Sequence, residues 1–373
     1  MAGEPENQRI ARLTPLAGVL ARIKALVAPV APRTADLSGT LFRVLAEDIT
    51  AGAVQPKEAR ALLDGYAVCA DEVTDANSYA PVPLANAPVR VDVGEALPPG
   101  ADAVVPFDAI VSRGGRFQAV AQAVAGEGVL PAHADIDLGA AIARKGWRLS
   151  GFNIAMLAAS GIGRVQVREP RVRVMRSRAT PDIVLDAVAD LLVRALSRLG
   201  CAVTHNAGDL ATALADEACD AVIGIGGTGS GRNDSSVSTL AAHGGVEAHG
   251  IAIAPGETAA FGMTGKRPVL LLPGRIDAAI AGWLTLGLPL IGRLTGSSDT
   301  GDAFIKAPLT RKVASPLGLV EIVPVRLAKG QAEPIASGYW PLASLSGTDG
   351  WILVPADSEG FPAGSEVVVK PWP

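Results

Sequence analysis

One stretch constrains the fold more than any other: DAVIGIGGTGSGRND, residues 220–234. An apolar, strand-forming run passes directly into five glycines between positions 224 and 231, and Asp234 closes the loop. Strands buried on both faces read as continuous apolar runs, and open α/β sheets bind ligands where such strands end. Glycines there let backbone N–H groups approach an anion, and a helix N-terminus behind the loop favours negative charge. Gly226, Gly227, Thr228, Gly229, Ser230 and Gly231 are therefore candidate binding residues. No Walker lysine follows, and the spacing is not G-x-G-x-x-G. The bland alternative is a tight turn in which Asp234 caps the next helix.

The flanking pattern supports a sheet. RVRVM (171–175) precedes an amphipathic helix, DIVLDAVADLLVRALSRLG, with Val184, Ala187, Leu191 and Leu192 as one stripe and Gly200 after its end. A strand CAVTHN, a helix near 209–217 and the strand before the glycine loop follow. This alternation predicts a parallel sheet with helices on both faces across 169–304. The segment 278–292 reads as an apolar core helix, too short and too interrupted for a membrane span.

Elsewhere the texture changes. Residues 12–29 carry helical periodicity, with Leu20, Ile23 and Leu26 sharing a face with Leu13 and Leu16. Short runs such as VRVDV and AVVPF, separated by LPPG and RGGR, make 50–141 a small β-rich domain. Residues 142–168 read as a helix turning at Gly161 and Gly163 into a strand. Residues 305–373 are rich in strands and turns and read as an all-β domain. A chain of 373 residues exceeds what one core sustains, so several domains are expected.

Further candidates lie at strand exits. APGETAAFG (254–262) and VLLLPGRIDAA (269–279) each place Pro-Gly after an apolar run, at Pro255-Gly256 and Pro273-Gly274. Arg275 could meet a phosphate as a forked donor. Asp64 lies in a turn, LLDGYAV, and Asp209 starts a helix, so turn and N-cap are their plain readings. Together Asp64, Asp209 and Asp234 have the oxygen chemistry to hold a hard cation such as Mg²⁺. His205 reads as a surface or packed histidine rather than a base.

A formal charge of −4 argues against nucleic-acid binding. Three cysteines, Cys69, Cys201 and Cys219, are too sparse for a disulfide framework and suit the cytoplasm. The N-terminus lacks a signal-peptide plan, and no membrane association is expected.

Seven fragments occur in an order that carries more weight than any one alone. They are FRVLAEDI (42–49), LLDGYAV (62–68), LPPGADAVV (97–105), LAASGIGRVQV (157–167), GGTGSGRND (226–234), PGETAAFG (255–262) and LLPG (271–274). In this order the chain resembles the molybdopterin molybdenumtransferases, the family of MoeA and the gephyrin E domain. The resemblance implies a split N-terminal domain (1–49 and 142–168) that mediates dimerisation. It also implies an inserted β-rich domain (50–141), an α/β molybdopterin-binding domain (169–304) and a C-terminal β domain (305–373). It implies a homodimer, with the cleft between one subunit's third domain and the other's second. The implied reaction inserts molybdate into adenylylated molybdopterin with Mg²⁺ and releases AMP. A recipient molybdoenzyme is the implied downstream partner.

By the same resemblance the essential aspartates fall on Asp64, Asp209 and Asp234, as catalytic and metal-holding residues. Four loops depart from the family pattern. An STGDEL-type loop is replaced by MRSRATPD (175–182), which removes an acidic group and adds Arg176 and Arg178. An M-T-G-A segment reads DVGEA, with Val93 for threonine. PGKP becomes PGET, with Glu257 and Thr258, and LPGNP becomes LPGRI, with Arg275 and Ile276. A glutamate in place of a phosphate-facing lysine repels an anion, and the added arginines could compensate. Two functions follow: an insertase, or a non-catalytic protein that binds or delivers molybdopterin or the finished cofactor. A scaffold role has no signal of its own.

Overall fold

The computed structural model describes residues 8–177, 182–207, 209–298 and 304–372. Two compact units emerge, one of residues 1–47, 145–155 and 163–373, the other of 48–144 and 156–162.

The smaller unit is built of short antiparallel pairings. Gly65–Val68 is the centre of a three-stranded sheet between Val89–Val91 and Ala103–Val105. A second three-stranded sheet joins Val82–Pro83, Arg116–Ala119 and Ile110–Arg113. Val68, Val73, Ala103, Val105 and Ile110 form one core, and Ala67, Val91, Val104 and Val129 another. Strands this short bury little area each. Small residues that pack from both faces supply the core, as the low aromatic content requires.

In the larger unit, helix α1 (Leu16–Leu26) buries Leu16, Val19 and Ile23, while Leu26 is 44% exposed. Leu16 and Ile23 are buried as expected, but Val19 joins them in the main core in place of Leu26. Helix α2 (Gly151–Ala159), whose residues are divided between the two units after Ala155, has only Leu157 buried.

Six strands form the central sheet: β1 (Arg171–Arg176), β2 (Ala202–Ala207), β3 (Ala221–Ile225), β4 (Gly245–His249), β5 (Ala260–Thr264) and β6 (Arg267–Leu272). Their order is β2-β1-β3-β6-β5-β4. The first four are mutually parallel, as the alternating pattern predicts. β5 pairs antiparallel with β6, and β4 antiparallel with β5, so the sheet is mixed and not wholly parallel. Every residue of β3 is buried, which explains its unbroken apolar sequence.

Helix α3 (Ile183–Arg198) packs Leu185, Val188, Ala189, Leu192 and Leu196 into the core. Of the expected stripe Leu192 is buried, but Val184 and Leu191 are half-buried and Ala187 is exposed. Leu185, Leu192 and Leu196 offer the larger apolar area, and that area decides which face turns inward. Helices α4 (Leu210–Ala215) and α5 (Ser236–His243) pack on each other.

Helix α6 runs over Ile276–Thr295 with a π turn at Trp283–Gly287. It extends the expected 278–292 helix to 20 residues, long and apolar enough to cross a membrane, but 72% of its most apolar window is buried inside the protein. It is a core helix. Gly287 admits the buried Trp283 ring; a Cβ there would lie 2.1 Å from a ring carbon.

A six-stranded sheet forms from the C-terminal region: Val320–Ala328, Gly350–Val354, Glu366–Pro371, Ile305–Pro308 and Gln331–Pro334, joined by Ile253–Ala254. Ile253 and Ala254 pair parallel with Val320 and Glu321. The PGET loop therefore leaves the C-terminal sheet, not the central one as its apolar lead-in suggests.

Candidate functional site

The glycine loop leaves β3 where expected. Gly226 and Gly227 take φ of 88° and 70°, the left-handed region that only glycine adopts cheaply. At Gly227 a Cβ would also meet Ser236 Oγ at 2.4 Å.

The loop faces a cavity of about 420 Å³, within the range of small-molecule sites. Gly226, Gly227, Thr228, Gly229 and Asp234 line it from β3, and Pro273, Gly274 and Arg275 from the exit of β6. Gly256 joins them, with Glu257 and Thr258, and so do Ser177, Asp182, Leu185 and Ala278. Of the residues expected from sequence, Ser230, Gly231 and Pro255 flank the cavity without lining it.

Asp234 does not cap α5. Its Oδ2 accepts from Gly231 N at 2.9 Å, closing the loop on itself, while Ser235 takes the N-cap position. Asp209 is the N-cap of α4, accepting from Ala211 N at 3.3 Å, and is exposed. Asp64 lies in the other unit, exposed, with Oδ1 accepting from Val93 N at 2.7 Å. Val93 stands where the family threonine is expected.

Three consecutive N–H groups, of Thr228, Gly229 and Ser230, have no acceptor among the described residues. Such a run of donors forms an anion-binding concavity. The α5 terminus contributes less than its position suggests. Ser236 N donates to Gly227 O at 3.0 Å and Ser238 N to Gln8 Oε1 at 2.8 Å, so both donors are already engaged. Thr228 Oγ1 lies 3.0 Å from Thr258 Oγ1. One hydroxyl hydrogen fills that bond, so the accepting hydroxyl keeps its own hydrogen for a ligand. Ser177 Oγ is buried on the same wall with no partner among the described residues, a group that a ligand would complete.

The wall is acidic. Asp182, at the end of the substituted MRSRATPD loop, accepts from Val184 N and Leu185 N through Oδ1 and caps α3. The substitution thus keeps an acidic group at the cavity. Glu257 Oε2 accepts from Gly256 N at 3.1 Å. Asp182, Asp234 and Glu257 each use one oxygen on backbone N–H groups.

Among the described residues Arg275 is the cation on this wall. Its Nε and Nη2 bind Asp277 at 3.0 and 2.8 Å, and the guanidinium lies 5.4 Å from the Tyr339 ring centre. The Asp277 hydrogen bonds raise its pKa above the ordinary arginine value although burial opposes them, so it stays charged. Arg176 pairs with Asp186 at 3.0 Å and does not line the cavity, so it is not the expected phosphate clamp. Arg178 lies outside the described residues.

No group of three His, Cys, Asp or Glu side chains among the described residues is arranged to hold a metal. Mg²⁺ rarely needs such a cage; it is usually held by one or two carboxylates plus ligand phosphates. Asp234 and Glu257 fit that use.

Sequence reasoning missed Asp182, Asp277, Tyr339, Thr258 as a partner of Thr228, and Gln8. Only Asp182 had a local signal, an acid just before a helical stripe.

The comparisons with known proteins point one way. Residues 14–161 match the MoeA N-terminal region (domain I and II), and residues 306–372 the MoeA C-terminal region (domain IV). Residues 175–293 match a family described as "Probable molybdopterin binding domain". A protein of Methanocaldococcus jannaschii named for molybdopterin biosynthesis is 28% identical over 374 residues, 90% of each chain. Molybdopterin molybdenumtransferase 2 of Mycobacterium tuberculosis is 27% identical, covering 91% of this chain and 94% of its own. Among solved structures, a molybdopterin biosynthesis MoeA protein from Pyrococcus horikoshii superposes with TM-score 0.77 at 27% identity, over 97% of this chain and 100% of that one.

Proposed function

Because the chain belongs to the MoeA family and to molybdenum cofactor biosynthesis, we propose that it inserts molybdate into adenylylated molybdopterin. The carrying observation is the run of unpartnered N–H groups at Thr228, Gly229 and Ser230 beside Asp234, in the region that matches the molybdopterin-binding family. Those donors suit a phosphate or oxyanion. The carboxylates beside them would repel it unless a divalent cation bridges the two. Mg²⁺ would be held by Asp234 and Glu257 together with ligand oxygens, and would supply Lewis-acid stabilisation of the transferring oxyanions. Arg275 meets the ligand at the rim. Asp64 and Asp209 keep catalytic and metal roles on resemblance alone, since neither lines this cavity.

The test is complementation of a bacterium lacking its own molybdenumtransferase, scored by nitrate reductase activity at ordinary molybdate. Rescue supports the insertase. A folded protein that binds molybdopterin without rescue supports the second reading, a binding or delivery protein for a recipient molybdoenzyme. The acidic Glu257 in place of lysine favours that reading.

The protein acts as a homodimer in the cytoplasm. The exposed apolar face of α2, with Phe152 71% and Met156 45% exposed, supports the dimer, and three free cysteines suit a reducing compartment. Phe152→Glu should weaken the dimer at least about tenfold, since burying a phenylalanine is worth roughly 2–3 kcal/mol. Sedimentation equilibrium measures it; an unchanged dimer constant would place the interface elsewhere.

A further inference from the structure

The glycine loop is held from behind by a side chain far away in sequence. Gln8 Nε2 donates to Gly227 O at 3.1 Å and to Gly229 O at 3.0 Å, and Gln8 Oε1 accepts from Ser238 N at 2.8 Å. A primary amide has two N–H bonds and one carbonyl, so Gln8 commits both its donors to this loop and its carbonyl to the first turn of α5. The carbonyl between is held as well: His249 Nε2 lies 2.9 Å from Thr228 O and donates to it, because a carbonyl only accepts.

Three successive carbonyls therefore face Gln8 and His249. A trans peptide aims its N–H opposite its carbonyl. The N–H groups of Thr228 and Ser230 then point away from Gln8, and that of Gly229 points away from His249; these are the donors left without an acceptor among the described residues. The segment that carries Gln8 is itself fixed. Thr14 N donates to Gly250 O and Ala252 N to Thr14 O, each at 2.8 Å. Ile10 fills the space at Gly250, where a Cβ would fall 2.4 Å from Ile10 Cγ2.

We propose that Gln8 is a positioning residue of this site: the N-terminal segment straps the glycine loop so that its free N–H groups are set, before binding, for the anionic group of the ligand. The proposal rests on reading that loop as the anion-binding wall. It makes residues 8–14 part of the site rather than a tail. Preorganised donors lose no ordering entropy on binding, so the strap strengthens affinity without touching the ligand.

The test uses the full chain with Gln8→Ala and Gln8→Glu. Glutamate keeps the acceptor for Ser238 N but cannot donate to Gly227 O or Gly229 O, so it separates the helix bond from the loop bonds. Hydrogen exchange is read at Gly231 and Ser236, whose N–H bonds to Asp234 Oδ2 and Gly227 O close the loop. Molybdopterin affinity is read separately. Both variants should exchange about tenfold faster at these amides, the loss expected from roughly one net hydrogen bond. Both should bind molybdopterin about tenfold more weakly, with KM raised and kcat little changed if turnover is present. Wild-type exchange in both variants would overturn the role of Gln8. Failure of the unmodified protein to bind molybdopterin would sink the ligand reading alone, and the exchange comparison would still decide the strap.

Discussion

Asp234→Ala is expected to reduce molybdenum insertion by on the order of 10²-fold, about 2.7 kcal/mol of barrier, while the protein stays folded. Two losses combine. The carboxylate closes the glycine loop through Gly231 N at 2.9 Å, and it is one of the two groups suited to a bridging cation. The stability cost is small, about 1 kcal/mol, because Asp234 is only half-buried and its partner can turn to water. Asp234→Asn separates the losses: it keeps an oxygen for Gly231 N but no charge. If asparagine restores activity, the carboxylate serves only loop geometry. If both variants are inactive yet retain the native melting temperature, the charge is required. An alanine variant as active as the unmodified protein would remove Asp234 from the site.

The second large effect concerns stability. Asp277 is 1% exposed. Its Oδ1 accepts from Arg275 Nε and Ala278 N, and its Oδ2 from Arg275 Nη2 and Trp340 N. Alanine leaves two buried backbone donors unsatisfied, at roughly 1–3 kcal/mol each. Breaking a fully buried ion pair costs about 3–5 kcal/mol. Arg275, 60% exposed, can be hydrated when released, so the expected cost is near the lower end, ~3 kcal/mol. Urea unfolding measures it, with the native melting curve as reference. A loss below about 1 kcal/mol would show that water replaces the carboxylate freely. The same variant frees Arg275 to swing, so ligand affinity should fall with stability.

The strand pattern and the glycine loop were legible because they are local: β3 is apolar throughout and its exit is dense in glycine. Residues that share a loop could be grouped by neighbourhood, which is why Gly226 to Gly229, Asp234, Gly274 and Arg275 fall on one wall. What failed was set by distance. Gln8 is separated from its partners by more than half the chain, and one polar residue near a terminus has no period to reveal it. The strand Ile253–Ala254 is too short to show alternation, so nothing marked which sheet it would join. The α1 and α3 periods predict helices but not the full inward face of either, because which apolar residues point inward depends on the area the sheet offers. The antiparallel edge of the central sheet was equally hidden, since pairing direction follows from connections and not from the composition of β4 and β5.

That short strand has a consequence for anyone who would exchange parts between relatives. Ile253 and Ala254 complete the sheet that residues after 304 build, and the loop leaving them carries Glu257 and Thr258 to the cavity wall. A graft made by splicing a foreign segment at 304 would therefore arrive with an unmatched edge where Val320 and Glu321 now sit beside Ile253 and Ala254. The ligand wall would inherit the mismatch. A working chimaera has to carry both halves of that pairing, so the seam of the gene and the seam of the fold are different places.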